Sequence, residues 1–372
     1  MLRNIVNRIH GSGFRFASSD SKFAAAQANL KKLQEAPDNS TKLKLYALFK
    51  QATAGDVSGS APSRLNFVER AKYDAWANFK GLTAADAQEK YAKLVDELLG
   101  EEAKDAAAAT PNSSGKTIPG LSITNENHIY KITLNRPKKF NAITWEMYDG
   151  LVDSLKEADA DPSVKLVVIT GAGDYYCSGN DLGNFSKIAE VGKEKLAEHA
   201  GGVFDRFVKA FIDFEKPLIF AVNGPAVGIA VTLLPLANLV YASDSATFHT
   251  PFVTLGQSAE GTSTYNFPRL MGSLKASEVL IFGRKLTAEE AYERNLVNEV
   301  IPKASFAAEV DKRIAQFAKL PPQALKINKN IVRDVDREAL HKVNEREVKV
   351  LMNRWLSKEC EQALTAFMTR KK

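Results

Sequence analysis

The sequence predicts two domains of different class, a small all-α four-helix domain and then an α/β domain whose C-terminal region is helical. Three observations carry this. Residues 20–100 keep a helical apolar period and show no strand signal. From Gly120 onward, short β-rich runs alternate with helical stretches, the pattern of a parallel sheet with crossover helices. Between the two, residues 101–119 lose apolar periodicity and pass through Thr110-Pro111-Asn112-Ser113-Ser114-Gly115, which reads as a linker with a helical start. A length of 372 residues favours two domains over one. The expected boundaries are 1–19, 20–100, 101–119 and 120–372.

The first segment, 1–19, carries Arg3, Arg8 and Arg15 and no acidic residue, with Leu2, Ile5, Val6 and Ile9 at roughly helical spacing. An amphipathic, acid-free, arginine-bearing start is the composition of a mitochondrial targeting segment, so the mitochondrial matrix is the expected compartment. The chain ends Thr369-Arg370-Lys371-Lys372 and so lacks a Ser-Lys-Leu peroxisomal ending. In the helical domain the apolar sets are Phe23, Ala26, Leu30 and Leu33; Leu45, Leu48 and Ala52; Phe67, Ala71, Ala75 and Phe79; and Ala87, Tyr91, Leu94, Val95 and Leu98. Pro37-Asp38-Asn39-Ser40 and Gly81-Leu82-Thr83 punctuate them, with Thr83 a natural N-cap.

In the second domain strands are expected at 129–134, 166–170, 218–222 and 239–242, and helices at 144–159 and 202–214. The apolar stretch 226–236, interrupted by Thr232 and Pro235, reads as a buried helix. From Thr262 the chain reads as almost entirely helical, a surface suited to subunit contact.

Composition narrows the function. Hydrophobic residues make up 45% and charged residues 25%, as in ordinary globular protein. The formal charge of +6 suits an anionic small ligand, and no nucleic-acid-binding signature accompanies it. Cys177 and Cys360 are far apart and lack metal-ligand spacing, which argues for a reducing compartment; no metal site and no redox-cofactor fingerprint is expected. No apolar run reaches membrane-spanning length.

Two turns carry the chemistry. Tyr176-Cys177-Ser178-Gly179-Asn180-Asp181-Leu182 follows one strand, and Asn223-Gly224-Pro225-Ala226-Val227-Gly228-Ile229-Ala230 follows another. Turns of this kind can each aim a backbone N–H at one oxygen atom, and two such groups make an oxyanion hole. Glu260, in Leu255-Gly256-Gln257-Ser258-Ala259-Glu260-Gly261, adds a carboxylate. A hole plus one base can remove a proton beside a thioester carbonyl. In the helical domain, Tyr46, Phe49 and Lys50 share a helix face, Lys72 lies on the next helix and Tyr91 on the last. Rings and lysines so placed can stack a purine and pair with phosphates. They also suit core aromatics beneath solvated lysines, and spacing leaves both open.

Two resemblances sharpen this. Leu45-Tyr46-Ala47-Leu48-Phe49-Lys50-Gln51-Ala52-Thr53-Ala54-Gly55-Asp56, followed by Ala71-Lys72-Tyr73-Asp74-Ala75-Trp76, resembles the acyl-CoA-binding protein family over residues 20–100. The resemblance implies that Tyr46, Lys50, Lys72 and Tyr91 hold the adenine and 3′-phosphate end of coenzyme A. Phe49 stands where many members carry tyrosine; it keeps the stacking and loses a hydroxyl hydrogen bond. Arg136-Pro137-Lys138-Lys139-Phe140-Asn141-Ala142, Ser178-Gly179-Asn180-Asp181-Leu182 and Asn223-Gly224-Pro225-Ala226-Val227-Gly228, in that order, resemble the crotonase superfamily, which implies a ββα-spiral α/β fold. The resemblance implies that the N–H groups of Asn180 and Ile229 form the oxyanion hole and that Ser178, Gly179, Asn180, Asp181 and Leu182 line the thioester. Gly179 and Gly228 would allow close backbone approach.

Hydratases of this superfamily use two glutamates to add water. At the matching positions this chain has Thr232 and Phe252, so hydration is disfavoured. Gly256-Gln257-Ser258-Ala259-Glu260-Gly261 resembles the Gly-Gln-Ser-Pro-Glu-Gly segment of peroxisomal-type Δ3,Δ2-enoyl-CoA isomerases, with alanine in place of proline. This implies Glu260 as the single catalytic base, fatty enoyl-CoA esters as substrates, no separate cofactor, and assembly as a homotrimer. Peroxisomes become the alternative compartment. Hydratase activity and a catalytically silent acyl-CoA carrier are the rival readings.

Overall fold

The computed structural model describes residues 21–33, 37, 39–63, 67–107, 117–185 and 192–369. The targeting-type segment 1–19, residues 108–116 of the expected linker and the basic end at 370–372 lie outside the described residues. Contacts divide the chain into two compact units, with the division between Lys104 and Asp105.

The first unit has helices at 21–30, Asn39–Ala54, Phe67–Ala77 and Ala84–Ala107. Its core is Phe23, Ala26, Leu45, Leu48, Tyr91 and Val95, all at positions the helical period marks as inward. Thr83 caps the last helix, its hydroxyl accepting from the Asp86 amide at 3.2 Å. A buried polar side chain stitches the helices together. Gln51 Nε2 donates to Asp56 Oδ1 and to the Leu82 carbonyl, both at 2.8 Å, and its Oε1 accepts from Trp76 Nε1 at 3.2 Å. All of its hydrogen-bonding needs in the interior are met within the protein, as burial of an amide demands.

The second unit is built on a six-stranded sheet of order β1-β2-β3-β4-β6-β9. The strands are β1 (Leu121–Glu126), β2 (Ile129–Leu134), β3 (Leu166–Gly171), β4 (Leu218–Val222), β6 (Leu239–Ser243) and β9 (Glu299–Ile301). A second sheet of order β5-β7-β8 joins β5 (Ala226–Val227), β7 (Thr247–His249) and β8 (Leu286–Thr287). From β2 to β9 the large sheet is parallel, as βαβ alternation predicts. Helices Trp145–Ala160 and Lys193–Asp213 are the crossovers.

The sheet is buried on both faces. Val167, Ile169, Phe220, Val240 and Ala242 face the main core with Phe207, Phe211 and Leu155 of the crossover helices. Leu166, Val168, Ile219, Ala221 and Tyr241 alternate to the other face, where Phe306, Val310 and Ile314 of helix Phe306–Phe317 cover them.

Four expectations change. Strand β1 pairs antiparallel with β2 and was not expected. The stretch 226–236 is not one helix: Gly228 sits at φ 60°, only Ile229–Thr232 turns as α-helix, and Pro235 lies in a 3-10 turn, Leu234–Leu236. The helix expected at 202–214 begins at Lys193, and β8 and β9 interrupt the helical C-terminal region.

Candidate functional site

The first turn is held from below. Ser178 N donates to the Phe140 carbonyl at 2.9 Å, Gly179 accepts from the Ile143 amide at 2.8 Å, and Asp181 N donates to the Ile143 carbonyl at 3.0 Å. The amide of Asn180, between them, donates to no partner among the described residues. The second turn is held as tightly. Val227 N donates to the Cys177 carbonyl at 2.9 Å and Gly228 N to the His249 carbonyl at 2.8 Å. Ile229 opens a helical turn, so its N–H has no carbonyl behind it, and it too lacks a partner among the described residues.

The two turns touch backbone to backbone: a Cβ on Gly179 would lie 2.8 Å from the Val227 carbonyl oxygen. Gly179, at φ 86°, therefore does allow the expected close approach. Gly228 is different, since nothing lies within 4 Å of where its Cβ would be. What it supplies is the left-handed backbone at φ 60° that starts the turn.

Residues that sequence reasoning left without a role hold this frame. Asn141, fully buried, accepts from Arg136 N at 2.9 Å and donates to the carbonyls of Ala172 and Tyr175 at 2.9 and 2.8 Å. Arg136, also buried, donates to the Ala142 carbonyl at 2.6 Å and to Asp181 Oδ2 at 2.8 Å. Asn184 donates to Asn180 Oδ1 at 2.8 Å and to the Ile143 carbonyl at 3.0 Å. Asp181, expected along the thioester, is thus engaged as the partner of Arg136, and its Oδ1 also accepts from Gly183 N at 2.7 Å. Ser178 is half-buried and Leu182 is exposed. Cys177 is packing: burial pushes its thiol up to about 12.

Glu260 is buried, not a surface loop acid. The loop presses on the second turn at Gly261, where a Cβ would stand 2.5 Å from Thr232 Oγ1 and 3.1 Å from Ile229 Cδ1. Glycine at φ 68° is therefore what brings the carboxylate beside the Ile229 turn. Glu260 Oε1 accepts from Thr232 Oγ1 at 3.3 Å, and Oε2 is buried with no partner among the described residues. Phe252 is buried in the same core. Burial first, and then the carboxylate of Glu347, hold Glu260 well above the usual carboxylate range; the Thr232 hydroxyl opposes them. Glu347 lies 87 positions along the chain, on helix Pro322–Trp355, and no short motif marks it. The Tyr148 hydroxyl is likewise buried without a partner among the described residues, and burial first, then the Glu260 charge, raise its pKa.

In the helical unit the expected ligand residues lie on the second, third and fourth helices and meet in pairs. Lys72 Nζ stands 5.5 Å from the Tyr46 ring centroid and Lys50 Nζ 4.8 Å from that of Trp76. Phe49 is exposed, 6.5 Å from Tyr91 between ring centroids. Tyr91 itself is core, packed edge-on against Phe23 at 5.0 Å. Lys72 also pairs with Glu69 at 3.1 Å, an exposed contact that an incoming phosphate can replace.

Among the described residues, no group of three or more His, Cys, Asp or Glu is placed to hold a metal ion, and no helix is long and apolar enough to cross a membrane. Residues 124–372 match the family described as enoyl-CoA hydratase/isomerase, and residues 20–95 the family described as acyl CoA binding protein. The chain is 46% identical over 372 residues to enoyl-CoA delta isomerase 2 of Rattus norvegicus, covering 100% of this chain and 95% of that protein. It is 42% identical over 312 residues to a Mus musculus protein named enoyl-CoA delta isomerase 3, peroxisomal, covering 83% and 98%. Among solved structures, an enoyl-CoA hydratase/isomerase from Pseudoalteromonas atlantica superposes with a TM-score of 0.61 at 32% identity, covering 68% of this chain and 98% of that one.

Proposed function

The chain belongs to the enoyl-CoA hydratase/isomerase family, with an acyl-CoA-binding domain ahead of it, and on that footing we propose that it moves a carbon–carbon double bond as a Δ3,Δ2-enoyl-CoA isomerase. The substrate is a cis- or trans-3-enoyl-CoA. The thioester carbonyl and the C3–C4 double bond both acidify the C2 protons. Glu260 takes one of them, and the N–H groups of Asn180 and Ile229 receive the dienolate oxygen. The same carboxyl returns the proton at C4, which leaves trans-2-enoyl-CoA. Each hole donor is worth about 3 kcal/mol of transition-state stabilisation, and the base roughly 10²–10⁴-fold in rate.

One observation carries the reading: the buried carboxylate of Glu260, with one oxygen unpartnered among the described residues, sits on the loop packed against the Ile229 turn, where Thr232 and Phe252 replace the acids that would orient a water. A raised carboxyl pKa suits a group that must both take and give the proton. The decisive assay follows the conjugated thioester by absorbance. The chain should generate it from 3-hexenoyl-CoA, and Glu260→Gln should lower kcat by at least about 10²-fold. Wild-type turnover in that variant removes Glu260 from the mechanism. Consumption of the conjugated product instead would make the protein a hydratase, and no change in either direction a carrier.

The pathway served is β-oxidation of unsaturated fatty acids, where such double bonds must be repositioned. The arginine-bearing start at 1–19 supports the mitochondrial matrix, and the name of the mouse relative supports peroxisomes as the alternative. Imaging fusions that leave each terminus free in turn decides between them. Exposed Ile327, Ile331, Val332 and Val335 on helix Pro322–Trp355 support subunit contact, and the homotrimer that the family resemblance implies is tested by sedimentation of the intact chain.

A further inference from the structure

A second buried carboxylate stands behind the first. Glu347 reaches from helix Pro322–Trp355 to the loop that carries Glu260. Its Oε2 accepts from Thr262 N at 2.7 Å, and its Oε1 accepts from Thr264 N at 3.0 Å and from Thr264 Oγ1 at 2.5 Å. These residues open helix Ser263–Met271, whose own N-cap, Thr262 at φ 64°, offers no side-chain cap. The first amides of a helix need an acceptor, and an anion is the favoured one. Glu347 provides it from a distant part of the chain. It thereby fixes the segment that begins two residues after Glu260.

We propose that Glu347 is a positioning residue for the reaction, capping the helix that follows Glu260 and standing as a fixed anion that makes Glu260 the stronger base of the pair. The inference rests on the reading of Glu260 as the base. Donor count decides which carboxyl is charged. Glu347 accepts three hydrogen bonds, whereas Glu260 accepts one at 3.3 Å and has an oxygen with no partner among the described residues. The better-solvated carboxyl ionises first, and its charge then holds the proton on its neighbour. The other titratable groups in play are Tyr148, on helix Trp145–Ala160, and Arg346, beside Glu347 on its own helix. Burial raises Glu347 as well, but its donors on Thr264 and Thr262 and the charge of Arg346 oppose that rise, so it ionises ahead of Glu260, and Tyr148 remains neutral across the working range.

The test is the pH profile of kcat for the full chain. Glu347→Gln removes the anion and leaves one first-turn amide without an acceptor. Expected are a fall in kcat of about tenfold or more from the misplaced loop and a move of the rising limb to lower pH by about one unit. Thr264→Val, which removes only the hydroxyl donor, covers the case in which Glu347→Gln does not fold. With one donor fewer, Glu347 ionises less readily, and the limb moves the same way by a smaller amount. A limb at the wild-type position in every variant that folds overturns the inference, since a merely structural clamp would lower kcat without moving it. Glu260→Gln run alongside separates the two failures: if it keeps wild-type turnover, the base assignment falls, whereas an inactive Glu260→Gln with unmoved limbs refutes only the role of Glu347.

Discussion

Glu260 is held in a form that costs stability, and this can be measured apart from activity. Its folded pKa lies above the ordinary value of 4.5. Below 4.5 the carboxyl is protonated in folded and unfolded chain alike and nothing is lost. As pH rises above 4.5 the unfolded chain releases the proton while the folded protein holds it, so stability falls with pH up to the folded pKa. Glu347 is raised as well and contributes with the same sign. Glu260→Gln keeps the shape and the Thr232 contact without an ionisable group. It should therefore melt higher than the wild type near neutral pH, and the gain should shrink toward zero as the pH is lowered to 4.5. Calorimetric scans across that range check it; a gain independent of pH would mean that ionisation of Glu260 is not the source. Gly261→Ala tests the same loop from the side of shape. The new methyl meets Thr232 at a positive φ and should cost about 1–3 kcal/mol of stability, together with a loss of kcat.

At the scale of elements, the proposed oxyanion hole is a contact between two turns, and Gly179 is where they meet. An alanine there would push against the Val227 carbonyl, which is backbone and cannot swing away. Gly179→Ala should lower kcat by about 10²–10³-fold, the size of a lost hole donor, with a smaller change in KM. A rise in KM with kcat unchanged would point to substrate binding rather than the hole. The turns and their glycines were legible in the sequence because a strand feeding into Gly-rich punctuation is a local signal. Strands β2 and β4 were legible for the same reason, being continuous apolar or alternating runs. Strand β1, Leu-Ser-Ile-Thr-Asn-Glu, was not, since four of its six residues are polar and it sits at a sheet edge. Strands β5, β7 and β8 span two or three residues each, too few to show any period. The supports escaped for another reason. Arg136 pairs with Asp181 across 45 positions and Glu347 with Thr262 across 85, and only folding brings such partners together.

At the scale of the whole molecule, two units each offer a surface for a coenzyme A ester, and they can be separated by what each requires. Among the described residues the helical unit has no buried acid comparable to Glu260; its lysines, Lys50 and Lys72, lie over Trp76 and Tyr46, where they are proposed to meet phosphate. In the α/β unit the proposed donors to the thioester are the backbone amides of Asn180 and Ile229, which no lysine substitution in the other unit alters. Calorimetric titration of the intact chain with a saturated acyl-CoA should therefore resolve two classes of site. Replacing both lysines, Lys50→Ala with Lys72→Ala, should weaken one class by about tenfold or more, because charge-assisted contacts to phosphate are lost while stacking on Tyr46 and Phe49 remains. The other class should be unchanged, and kcat at saturating 3-hexenoyl-CoA should match the wild type, since bulk substrate then fills the catalytic site directly. If kcat at saturation falls with the lysines, the helical unit is part of the catalytic cycle and hands its ligand on. If neither class weakens, the lysines are solvated surface and the helical unit binds by other means.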